Sequence, residues 1–136
     1  MERYKKIFKE EVEKYKSSNN LLQSLIELHN DCDTYITHNE KQIKLGNEKY
    51  IENFIKLVNK FHRTFKEKLH ELFKELNVPN NIQGRVNRRF QNAESALFYA
   101  NKETSNIFPT DGVGTYSTLH ECLKILIEQE QNNGKI

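Results

Sequence analysis

Residues 47–76 read NEKYIENFIKLVNKFHRTFKEKLHELFKEL, and within them Ile51, Phe54, Val58, Phe61, Phe65, Leu69, Leu72 and Leu76 recur at steps of three and four. That spacing aligns the eight side chains along one side of an α-helix. The ends are punctuated too: Gly46 and Asn47 stand before it, Glu48 suits the first turn, and Asn77-Val78-Pro79 follows. A helix of roughly 30 residues is a rod about 45 Å long. Tyr50, Ile55, Leu57 and Phe73 widen its apolar side, so it needs more than one neighbour, which favours a bundle over a two-stranded coil. Successive steps of four from Phe61 through Phe65 to Leu69 interrupt a strict heptad, so no long supercoil is expected.

Towards the N-terminus, residues 21–45 carry a similar seam of Leu22, Leu25, His29, Cys32, Ile36 and Ile43, with Asn39 close to it. Polar groups at such positions cost stability unless they are hydrogen-bonded. Gly46 ends this helix and implies a tight antiparallel turn. Residues 3–16 form a further basic amphipathic segment around Tyr4, Ile7, Phe8, Val12 and Tyr15; Ser17-Ser18-Asn19-Asn20 interrupts it as a kink, a loop or a cap. Such a face can dock on an anionic membrane or a partner, although mixed lysines and glutamates more often form a solvated surface.

Towards the C-terminus, Asn80-Asn81 can cap a third long helix with the narrow stripe Ile82, Val86, Phe90, Ala93, Leu97 and Ala100. Residues 107–115, IFPTDGVGT, hold the densest turn chemistry and are expected to be the longest loop. Thr118 with Glu121 reads as a capping box for a last helix, and residues 129–136 as a frayed tail.

The 136 residues, of which 36% are hydrophobic, suit one domain, 1–136, with 1–18 as a helical extension. Lys and Arg total 21 against 19 for Asp and Glu, a net charge of +2, so any anion-binding surface has to be local. Five glycines, two prolines and no convincing alternation at period two argue against a sheet. Two cysteines make no disulfide framework, and no apolar run approaches a bilayer span; a cytoplasmic protein, neither exported by a conventional signal nor integral to a membrane, is expected.

Four constellations are candidates for chemistry. His29, Cys32 and Asp33 share one helical face and could hold a metal, with His120 or Cys122 as a fourth ligand, although no paired ligand motif supports them. Glu67 and His70 form one Glu-x-x-His, where di-iron bundles use two plus further glutamates. Arg85, Arg88 and Arg89, three of the five arginines, lie among Gln83, Asn87, Gln91 and Asn92; arginines with amides suit phosphate and base contacts. Arg85 and Arg89 flank the apolar stripe, where they could pair with carboxylates of a neighbouring helix, whereas Arg88 points outward. Finally, Phe108, Asp111, Val113 and Tyr116 sit in or beside the glycine-bearing segment, where a loop on rigid helices commonly carries recognition. No nucleophile, histidine and acid stand at an interpretable spacing, and no glycine-rich phosphate cradle occurs.

The expectation is therefore all-α: an antiparallel four-helix bundle with an additional amphipathic N-terminal helical segment. The expected function is that of a small protein-binding regulator (adaptor, inhibitor or immunity-type factor) without catalysis or cofactor, binding through Phe108, Asp111, Val113, Tyr116 and Arg88. The alternatives are a nucleic-acid-associated regulator contacting phosphates through Arg85, Arg88 and Arg89, and a metal-binding bundle enzyme. A wide seam on a long helix also leaves a homodimer open.

Overall fold

The computed structural model describes residues 12–102 and 110–133. Five helices pack together: α1 (Asn20–His38), α2 (Glu40–Lys44), α3 (Glu48–Glu75), α4 (Asn80–Lys102) and α5 (Thr110–Asn133); no strand occurs among the described residues. α3 is the rod read from residues 47–76, and all eight residues of its main row are buried.

Its boundaries have specific causes. Gly46 takes φ 79° after α2, where Asn47 N–H donates to Gln42 C=O at 3.1 Å and Gly46 N–H to Ile43 C=O at 3.0 Å. Asn77 takes φ 52° after α3, with Val78 N–H on Phe73 C=O at 3.0 Å and Asn77 N–H on Lys74 C=O at 3.2 Å. Both are left-handed caps that satisfy terminal carbonyls, one by glycine's freedom and one by asparagine's tolerance of that conformation. Val78 and Phe73 are both buried beside the second cap, and Pro79 prevents the rod from continuing.

The seam over residues 21–45 is divided. Asn39 leaves helical geometry at φ −116°, ψ 18°, and both its backbone N–H and its Nδ2 donate to Tyr35 C=O at 3.0 Å. A side-chain amide competing for a helix carbonyl explains the break between α1 and α2. Ser17-Ser18-Asn19-Asn20 is also a break: Asn19 Oδ1 accepts from Leu22 N–H at 3.0 Å and caps α1. The segment before α1 is held down at its end. Tyr15 Oη and Ser17 Oγ donate to the two carboxylate oxygens of Glu130 at 2.5 and 2.7 Å, and Asn19 Nδ2 donates to Glu75 at 2.7 Å. The expected helix over residues 3–16 lies mostly outside the described residues.

The C-terminal half departs most from expectation. The chain is helical from Thr110, so residues 110–115 are not loop, and Thr118 is not a cap: its hydroxyl donates to Gly114 C=O at 2.9 Å inside the helix. Burying Thr115 and Tyr116 completely offsets the low helix propensity of Gly112 and Gly114. Residues 129–133 continue the helix, where Glu130 makes the two bonds above. α4 packs most extensively on α5 and α1 on α3, whereas the seam between α3 and α4 is thin. No helix among the described residues is long and apolar enough to cross a membrane.

Candidate functional site

Three places combine polar chemistry with defined geometry: a buried histidine pair, a groove between α3 and α4, and the outward face of α4.

In the core, α1 delivers His29 to α5. His29 Nδ1 lies 3.0 Å from Asn30 Oδ1, which places the proton on that nitrogen and leaves Nε2 as an acceptor. His120 Nδ1 lies 2.9 Å from this Nε2 and Tyr116 Oη 3.1 Å from it; the Tyr116 hydroxyl also reaches His29 C=O at 3.3 Å. Phe61 and Tyr116 rings surround the imidazole, with centroids 6.2 and 5.1 Å away. His29 and Tyr116 are fully buried and His120 is 2% exposed. Burial holds His29 down to about 4, and His120 is depressed as well, first by burial and then by the proximity of His29 and Lys124. Both rings are neutral and the network is built from neutral hydrogen bonds.

This cluster corrects two expectations. Tyr116 does not stand on a loop for a partner; it is a core residue, because its ring and hydroxyl complete the His29 environment. His29 does meet His120, but among the described residues no group of three or more His, Cys, Asp or Glu side chains could hold a metal, so Cys32 and Asp33 do not complete a metal site with them. Cys32 and Cys122 are buried thiols; burial raises both, Cys122 to about 12, and Cys122 Sγ donates to Val86 C=O at 3.7 Å. Phe108 lies outside the described residues, and Asp111 and Val113 fall within the first turn of α5.

The second site is an open groove of about 370 Å³ where α3 and α4 diverge. Leu69, Phe73 and Phe90 form its floor, and Lys66, His70, Asn87 and Gln91 its rim. Lys66 Nζ pairs with Glu94 at 2.8 Å across it. His62 stacks on Phe90 with centroids 4.9 Å apart and planes 11° apart, and its Nε2 is 3.6 Å from Glu94. Burial lowers its pKa more than Glu94 raises it. Glu67 stands exposed on α3 and outside this groove, so the Glu-x-x-His contributes only His70 to it. The rim was legible only as amides spaced by four at the flank of the α4 stripe; the facing residues of α3 required the packing.

The third site is α4's outward face. Arg85 and Arg88 are exposed, whereas Arg89 pairs with Glu121 of α5. Arg85 and Arg89 line a notch of about 180 Å³ with Glu121, Lys124 and Glu128. Gly84 is exposed in this helix, and a Cβ built there would meet nothing within 4 Å. A mid-helix glycine costs about 1 kcal/mol relative to alanine, and no neighbour inside the bundle requires it.

The described residues thus form a helical protein with a buried, neutral His29–His120–Tyr116 network and surface clefts that α4 shares with α3 and with α5. No protein-family model, curated protein or solved structure matches the chain.

Proposed function

We propose that this chain is a small, non-catalytic regulator that acts by binding another protein, on a scaffold in which the four long helices run antiparallel in chain order. The observation that supports it is the α3–α4 groove. A floor of Leu69, Phe73 and Phe90, inside a rim of amides, His70 and the Lys66–Glu94 pair, has the hydrophobic centre and polar edge found at protein interfaces. A trough between two helices admits side chains from a partner's helix or extended segment. Of the residues expected to contact a partner, Arg88 is exposed on α4, the helix that forms one wall of the groove.

The test is affinity capture from the native host with tagged protein, with and without nuclease, using wild type and His70→Trp. His70 is exposed on the rim, so an indole there fills the trough without entering the core. One stoichiometric protein that survives nuclease and is lost with His70→Trp, at unchanged helicity, is the expected outcome. Undiminished capture by His70→Trp removes the groove, and proteins lost on nuclease treatment remove direct protein binding.

A further inference from the structure

Between Asn77 and Ala93 the chain has three arginines, seven Asn or Gln and no carboxylate. Helical geometry arranges this composition. The stripe of Val86, Phe90, Ala93 and Leu97 faces the core, which turns Asn81, Gly84, Arg88 and Ser95 to the opposite side. The helical neighbours of Gly84 at three and four residues are Asn80, Asn81, Asn87 and Arg88, all exposed. A bare strip of backbone is therefore ringed by three short amides and a guanidinium, with Arg85 beside it. The first turns of α4 add the positive end of the helix dipole.

Nothing inside the protein accounts for Gly84, because its Cβ direction is open space. An exposed helix glycine that packing does not need is explained when a ligand backbone approaches the helix closely. The ligand's sign follows from the charges. Arg85 and Arg88 make no ion pair among the described residues; Glu121 neutralises Arg89 at the flank, where Lys124 and Glu128 offset each other in the notch that Arg85 lines. We propose that the outward face of α4, centred on Gly84, binds the phosphodiester backbone of a nucleic acid. Arg85 and Arg88 neutralise phosphates, and the asparagines donate to phosphate or sugar oxygens. This surface shares Asn87 and Arg88 with the proposed protein-binding face but not the groove floor, and the experiment below tests it without any protein partner.

The experiment is fluorescence anisotropy at low salt with labelled mixed-sequence duplex DNA, duplex RNA and single-stranded RNA, and with labelled poly-glutamate as an acidic-protein surrogate. Two neutralised phosphates predict a log–log salt slope of about −2 on a duplex. Arg85→Gln with Arg88→Gln is expected to weaken binding about tenfold or more and to flatten that slope. Gly84→Leu, a good helix former facing open space, is expected to weaken binding about tenfold with the slope retained and the fold intact. Lys56→Gln with Lys60→Gln removes equal charge from another face and is expected to change affinity less than about twofold. The arm that binds identifies DNA or RNA. Failure of every nucleic acid to bind, equal binding of poly-glutamate, an equal loss in the lysine control, or full binding by Gly84→Leu each overturns the proposal.

Discussion

Acidification should destabilise this protein through its buried histidines before most carboxylates titrate. His29 is enclosed by Asn30 on its own helix, by Tyr116 and His120 of α5, and by Phe61 of α3; Lys124 is the cation acting on His120, and Asp33 lies one turn along α1. His29 has no exposed surface on which an imidazolium could be hydrated. A free histidine protonates near 6.5, whereas His29 is held down to about 4, so between these values the unfolded chain binds a proton that the folded chain does not. Stability is therefore fully present above about pH 6.5 and falls as pH drops towards 4. At about 1.4 kcal/mol per pH unit, His29 alone accounts for a loss of about 3 kcal/mol, with His120 acting in the same direction. That is a large part of the 5–15 kcal/mol typical of a whole domain. Urea unfolding followed by circular dichroism from about pH 7 to about pH 4.5 measures it, and the range above about pH 5 isolates histidine from ordinary carboxylates. His29→Gln should lose the part of the slope owed to that ring. A wild-type stability constant within about 0.5 kcal/mol down to about pH 5 would refute the reasoning.

Three further outcomes follow from named contacts. Tyr116→Phe keeps the ring but removes the hydroxyl shared by His29 Nε2 and C=O, and should cost about 1–2 kcal/mol in urea unfolding. Glu130→Ala releases Tyr15 and Ser17; amide exchange in residues 15–19 should accelerate while that of α3 is unchanged. Gly84→Ala places a methyl group in open space on a helix, so thermal unfolding should show stabilisation of up to about 1 kcal/mol; destabilisation would mean that internal packing does require the glycine.

The candidate sites were legible in uneven degrees. Arg88 outward follows from its angle to the Val86 stripe; Arg85 and Arg89 both flank that stripe and could each have paired with a neighbouring helix, and the structure gives an ion pair, with Glu121, to Arg89 and none among the described residues to Arg85. His29 was visible as a polar group on an apolar seam, and His120 as a residue that could reach it; their link to each other and to Tyr116 was not. Residues 107–115 misled because glycine, proline and aspartate are weak local evidence against helix. The burial of Thr115 and Tyr116, a long-range effect, outweighs it over residues 110–115. The same holds for residues 129–133, polar in sequence yet helical, with Glu130 anchored by two hydroxyls from the other end of the chain.

By itself, the sequence determined the helical class, the extent of α3 and the turns at Gly46 and Asn77. These depend on periodicity and backbone chirality, which act within a few residues. Only the tertiary structure decided that α4 lies chiefly on α5, that the α3–α4 seam opens into a groove, and that His29, Tyr116 and His120 share one network. Those outcomes depend on which apolar faces fit together across separations from 28 residues, between Lys66 and Glu94, to 91, between His29 and His120. Such long-range complementarity leaves no local pattern to read.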